Sequence, residues 1–202
     1  MPVFLDEDMM GRDAATIGFP HLLLCMGFVA RTNNDLWGVH MVTPASSQAT
    51  FAAFWHWAQG RGLATAAITE IYGCCNRKIR YGQGILAAWA GEMQWFANTL
   101  GNWHGQAHGF DTSIIDPRDG TYVEYQWRLA GLCRLFYKRD EETVQTGLSR
   151  QLVANHSPDI QKYSAIIVSG FSPILFAKPG ISSQAGALDE VDYALRLTTI
   201  QL

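Results

Sequence analysis

The chain has 202 residues, of which 48% are apolar and 16% charged, and its 15 basic and 18 acidic side chains leave a formal charge of −3. That composition supplies a packed core and is too apolar for a disordered chain. It provides no basic field of the kind that holds a phosphate backbone, so nucleic-acid binding is excluded as a class, and no apolar run approaches the ~20 residues of a membrane-spanning helix.

The opening stretch, Met1-Pro2-Val3-Phe4-Leu5-Asp6-Glu7-Asp8, carries acids where a secretory leader carries Lys or Arg. It predicts a protein made in a cytoplasm, and it is compatible with export into a target cell by a route that cleaves no leader. Residues 22–30 form a continuous apolar run of strand length, which predicts a strand buried on both faces. Thr32-Asn33-Asn34-Asp35 is a turn signal, because Asn and Asp tolerate positive φ. Residues 36–43 then read as the returning strand, stopped by Pro44. Ser46 and Ser47 are placed to cap a helix over 48–59 that Gly60 closes. Residues 63–72 read as a strand ended by Gly73, and 85–100 as an amphipathic helix stopped by Gly101. Asp119-Gly120 marks a hairpin between 113–116 and 121–125. Strands over 129–138 and 163–168 and a helix over 140–153 complete the chain. No stretch reads as a linker, so residues 1–202 are taken as one domain. The strands outnumber the helices and come as hairpins. This predicts an α+β fold in which two mixed β-sheets pack as a sandwich flanked by helices.

The seven Trp, seven Tyr and ten Phe suit a large core. Trp55 and Trp57 lie two apart on the first helix, so one of them is expected at the surface, where it would serve as a docking side chain.

The chemistry rests on four cysteines. Cys74 and Cys75 are adjacent, and no Cys-x-x-Cys is present, so reduced thiols are expected rather than a disulfide scaffold or a zinc site. His104 and His108 are four apart, but the glycines around them argue against the helix that a metal pair would need, and a polar loop is the better reading. No phosphate-binding glycine loop and no Gly-x-Ser-x-Gly elbow occurs, so neither a cofactor nor a metal is expected.

The pair of interest is Cys25 with His40. A two-residue loop at Asn33-Asn34 gives opposed residues an index sum of 67, and Cys25 with His40 sums to 65. The parity matches, so the two side chains share one face as diagonal neighbours, about 7–8 Å apart at the backbone. A free thiol titrates near ~8.5, and a cationic His beside it lowers that value and supplies a nucleophile at neutral pH. A cysteine in an apolar strand is ordinarily a small core residue, and a histidine on a strand is ordinarily structural. His21, four residues before Cys25, is expected on the same strand face. Cys74 or Cys75 with His104 is the backup pair.

The local string shifts this balance. Cys25-Met26-Gly27-Phe28-Val29-Ala30-Arg31 followed by Leu36-Trp37-Gly38-Val39-His40-Met41-Val42-Thr43-Pro44 resembles the catalytic hairpin of bacterial glutamine deamidases, namely the chemoreceptor deamidase CheD and the catalytic domain of the cytotoxic necrotizing factors. The order of elements is similar to CheD over residues 20–126, through Ile68-Thr69-Glu70-Ile71-Tyr72-Gly73 and the glycines at 101, 105 and 109. The resemblance implies a cysteine-dependent hydrolase that converts glutamine to glutamate plus ammonia on a protein substrate presenting an exposed glutamine, as a bacterial effector or toxin. It implies Cys25 as nucleophile and His40 as acid and base. CheD-like enzymes orient the histidine with a Thr shortly before the cysteine. That position is Phe19 here, and the nearest Thr is Thr16, so either Thr16 or a main-chain oxygen, as in the necrotizing factors, takes the third role. The alternatives are a noncatalytic protein-binding module on the same fold, and a cysteine protease or transglutaminase.

Overall fold

The computed structural model describes residues 3–82, 86–114 and 120–139, together with five short strands further along the chain. The order is β1 (Val3–Phe4), β2 (Met9–Asp13), β3 (Thr16–Leu22), β4 (Met26–Arg31), β5 (Leu36–Met41), α1 (Pro44–Gly60), β6 (Glu70–Cys75), α2 (Arg77–Arg80) and α3 (Leu86–Thr99). It continues with β7 (Gln106–Asp111), β8 (Thr121–Gln126), β9 (Arg134–Arg139), β10 (Gln151–Val153), β11 (Ile160–Lys162), β12 (Leu175–Ala177), β13 (Asp189–Glu190) and β14 (Leu197–Gln201).

Two mixed sheets carry the fold. The first runs β1-β3-β8-β9-β13 and the second β11-β2-β5-β4-β6-β7-β14, while β10 and β12 form a separate antiparallel pair. Among the described residues only β1 with β3 and β6 with β7 pair in parallel. The sheets face each other across one buried cluster. Ile17, Phe19, Val123, Tyr125 and Leu135 of the first sheet meet Val29, Leu36, Tyr72, Cys74 and Phe110 of the second. The far face of the second sheet carries Phe28, Val39, Met41 and Ile71, covered by Phe51 and Phe54 of α1 and by Trp89, Met93 and Phe96 of α3. The rings of Phe51 and Phe96 stack at 4.2 Å and hold the two helices together. The fold is therefore α+β, with helices on one side of two stacked sheets. Among the described residues no helix is long and apolar enough to cross a membrane.

Strand β4 is buried at all six positions, as an apolar run covered on both faces should be. The run 22–30 is not one strand, however. Leu22 ends β3 in the first sheet, His21 takes a φ of +56°, the chain bends at 23–24, and β4 starts at Met26 in the second sheet. His21 and Cys25 therefore do not share a strand.

The hairpin loop falls at Asn33-Asn34, but neither residue adopts positive φ. The turn is clamped by Asp35, which receives the Trp37 indole N–H at 2.8 Å and Arg12 Nε at 2.6 Å and also bonds the Thr32 hydroxyl. Helix α1 starts earlier than the serines suggest. Thr43 is its N-cap and Pro44 its first residue, with Ser46 returning the bond to the Thr43 N–H in a capping box. Trp55 and Trp57 are both buried, because Trp57 packs against Trp37 and lies under the Arg61 guanidinium.

Strand β6 runs through Gly73 to Cys75, since β7 pairs with it in parallel as far as Asp111. Residues Thr112–Ile114 form a 3-10 turn, and β8 pairs with β3 and β9 rather than with a 113–116 strand. Residues 151–153 are a strand where a helix was expected. Residues 115–119, 140–150 and 163–168, which bear on the remaining expectations, lie outside the described residues.

Gly27 makes the two sheets' approach possible. A Cβ there would stand 2.6 Å from the Phe19 ring and 2.8 Å from Cys74 Sγ. Gly27→Ala is expected to lower stability by about 1–3 kcal/mol, seen as a lower urea midpoint with an unchanged slope. Gly60→Ala, which meets nothing within 4 Å, should leave the midpoint where it is or raise it.

Candidate active site

The β4–β5 ladder pairs Gly27 with His40 and Met26 with Met41, so the index sum is the 67 expected of an Asn33-Asn34 loop. Cys25 lies one residue ahead of the ladder, and it packs with Val29 in the layer between the sheets. His40, on the same face of β5, is also in that layer. Their exposures are 3% and 0%. Because the residue opposite His40 is glycine, the imidazole has room there, with the Phe19 ring set edge-on to it at 5.8 Å.

Neither side chain bonds the other. Both are held by the turn between β1 and β2. The Leu5 carbonyl lies 2.8 Å from His40 Nδ1, and the Asp8 N–H donates to the His40 carbonyl at 2.9 Å. Cys25 Sγ donates to Glu7 Oε1 at 3.3 Å. A carbonyl only accepts, so Nδ1 carries the proton and Nε2 is left with a lone pair. That Nε2 is buried and has no hydrogen-bond partner among the described residues. Gly38 lets the turn come so close, since a Cβ there would be 3.0 Å from both Leu5 and Ile17.

The electrostatics favour neutral forms of both groups. Burial pushes the Cys25 thiol up to about 12, helped by the charge of Glu7 and its hydrogen bond, with Arg80 opposing. Burial pushes His40 down from 6.5, against the pull of the Leu5 carbonyl and the charges of Asp6 and Glu7. Burial of both partners thus acts against the thiolate beside a cationic imidazole expected from the sequence.

Arg80 fixes the chain just ahead of the sulfur. Its Nη1 donates to the Leu24 carbonyl at 3.0 Å, while Nε and Nη2 bind the Glu92 carboxylate at 3.1 and 2.7 Å. Glu92 also accepts from Ser47 Oγ and from the Tyr81 hydroxyl. Ser47, Tyr81 and Glu92 line a pocket of about 340 Å³ together with Pro44, Gln48, Gly91 and Trp95. The Tyr81 hydroxyl stands 3.9 Å from the sulfur of Met26, the residue after Cys25.

The other expected residues fall elsewhere. Thr16 starts β3, pairs with Gln126 and donates its N–H to Asp13 Oδ1 at 2.7 Å; the carbonyl that orients His40 is that of Leu5. Cys74 faces the inter-sheet layer and donates to the Gly27 carbonyl, whereas Cys75 faces the helices. Both are fully buried, with thiols raised by burial. His104 lies two residues before β7 and Cys74 is level with Phe110, four strand steps or about 13 Å beyond the start of β7. The backup pair is not formed. His108 is buried on β7 with its ring 5.2 Å from that of Tyr72. Among the described residues no cluster of three His, Cys, Asp or Glu could hold a metal. Sequence reasoning did not find Leu5, Glu7 or Arg80. The acids at 6–8 were visible, but a carbonyl partner carries no side-chain signature.

A histidine held neutral in the fold has a definite acid signature. Below pH 6.5 the unfolded chain takes a proton that folded His40 refuses, so stability falls as pH falls. In urea unfolding between neutral and mildly acid pH, His40→Gln should show the shallower loss, by up to about one proton in the slope. Equal slopes would mean that His40 titrates normally.

Comparison of the chain with family models, with curated proteins and with solved structures finds no match.

Proposed function

We propose that the chain is a cysteine-dependent amidohydrolase that deamidates glutamine in a protein substrate. The observation that carries this is the placing of Cys25 and His40 on one face of one hairpin, with Nδ1 given to a main-chain carbonyl and Nε2 left, among the described residues, as an unpaired base. The resemblance of the Cys25–Pro44 hairpin to glutamine deamidases supports the choice of substrate group. The Leu5 carbonyl fits the necrotizing-factor pattern, in which a main-chain oxygen orients the ring, and the proposal takes the sandwich to be of that type. The same resemblance extends it to a bacterial effector or toxin acting on a protein of a target cell.

In this reaction Nε2 accepts the thiol proton as Sγ forms a bond to the carboxamide carbon. The imidazolium is steadied by the Leu5 carbonyl and by the neighbouring Asp6 and Glu7 charges. The tetrahedral adduct collapses, the C–N bond breaks, and Nε2–H protonates the departing ammonia. Water then attacks the thioester, giving its proton to Nε2, and glutamate and the neutral thiol are released. A resting neutral pair suits this sequence, since the proton moves only as the new bond forms.

Burial of Cys25 favours a second reading, a noncatalytic protein-binding module on the same fold. The two are separated by incubating wild type and Cys25→Ala with candidate protein substrates and mapping glutamine-to-glutamate conversion by mass spectrometry, with ammonia release in parallel. Wild type should convert specific glutamines and Cys25→Ala should fall by roughly 1,000-fold or more. Thr16→Val should retain the wild-type level. Added primary amines should not be incorporated, as they would be by a transglutaminase. Identical peptides from both proteins and no ammonia would overturn the deamidase.

A further inference from the structure

The turn between β1 and β2 does more than orient an imidazole. It places Glu7 on the sulfur, and it holds Glu7 between two anchors on a single residue, the Leu5 carbonyl on the His40 ring and the Asp8 N–H on the His40 carbonyl. Leu5 N–H is itself bonded to the Gly18 carbonyl at 2.8 Å, and the Met9 N–H closes the turn on the Asp6 carbonyl. Glu7 is exposed, so its carboxylate faces water on one side and the thiol on the other.

We infer that Glu7 is a latch on the Cys25 sulfur, a positioning residue whose carboxylate accepts the S–H and keeps the sulfur a neutral thiol until that hydrogen bond is given up. The charged groups that bear on Cys25 are Glu7 and Asp8 from this turn and Arg80 from α2. Arg80 is committed through all three nitrogens to Glu92 and to the Leu24 carbonyl, so it does not neutralise Glu7. With the Glu7 charge removed, burial and Asp8 still favour the thiol, but the carboxylate that lies on the sulfur no longer adds to them and Arg80 is less opposed. For the timing of catalysis the inference rests on the deamidase reading, since release of the S–H is what lets Nε2 of His40 receive it. For its chemistry it does not.

The test reads the sulfur directly. Full-length wild type, Glu7→Gln and Asp13→Asn are treated with iodoacetamide from neutral to alkaline pH, and labelling of Cys25 is followed by peptide mass spectrometry. Glu7→Gln keeps an acceptor for the S–H and removes the charge. Its Cys25 should label at least about threefold faster at neutral pH, and about tenfold faster for each unit by which its pH profile moves down. Asp13→Asn loses the same charge away from the sulfur and should label as wild type does. An unchanged or slower Glu7→Gln profile, or equal acceleration in Asp13→Asn, would overturn the latch. Melting curves of the variants separate a released thiol from a loosened fold: acceleration accompanied by a large drop in Tm also counts against it. Glutamine conversion is measured on the same samples. Faster labelling without conversion in any of them would sink the deamidase and leave the latch, whereas conversion by wild type with an unmoved Glu7→Gln profile would do the reverse.

Discussion

An imidazole shut between two sheets is tolerable only if its N–H has somewhere to go. An unsatisfied buried donor costs about 1–3 kcal/mol, and here the Leu5 carbonyl takes it. That one hydrogen bond decides the tautomer and leaves Nε2 as a base. It also depends on both halves of the sandwich, because Leu5 is bonded through its N–H to Gly18 in the first sheet while Asp8 reaches His40 in the second. The turn is a bridge between the sheets, and the candidate site lies under it. Glycines at 27 and 38 are what allow it, one making room opposite the ring and the other admitting the Leu5 side chain.

The charges around the sulfur follow from the same geometry. A cysteine beside a histidine is commonly expected to ionise, with the imidazole taking the proton. Here desolvation acts on both groups in the direction of neutrality, and the closest charge to the sulfur is a carboxylate. The guanidinium of Arg80 opposes it from the other side but is tied to Glu92. Under the proposed reaction, activation of Cys25 belongs to the encounter with substrate rather than to the resting protein.

Much of this was legible in the residues. The apolar run over 22–30 and the returning strand over 36–43, with a loop at Asn33-Asn34, set the parity expected for Cys25 and His40, and the ladder has that register. The helices expected over 48–59 and 85–100 are present as Pro44–Gly60 and Leu86–Thr99, the first starting a turn earlier because Thr43 rather than Ser46 or Ser47 is its cap. The split of the apolar run at 22–25 did not show, since Leu22 and Met26 are equally apolar and only the left-handed backbone of His21 separates the two sheets. The exposure expected of Trp55 or Trp57 failed for a tertiary reason. Trp37 and Arg61 cover an indole that helix geometry alone turns outward. The Leu5 carbonyl was beyond reach because a main-chain acceptor has no residue preference to betray it.

Glu92 receives Ser47 of α1, Arg80 of α2 and the Tyr81 hydroxyl, and through Arg80 it is joined to the carbonyl just ahead of Cys25. The helical layer and the thiol segment therefore belong to one cooperative unit. A fluctuation that parts α1 from α3 at Glu92 also loosens Arg80, and with it the hold on the carbonyl ahead of Cys25.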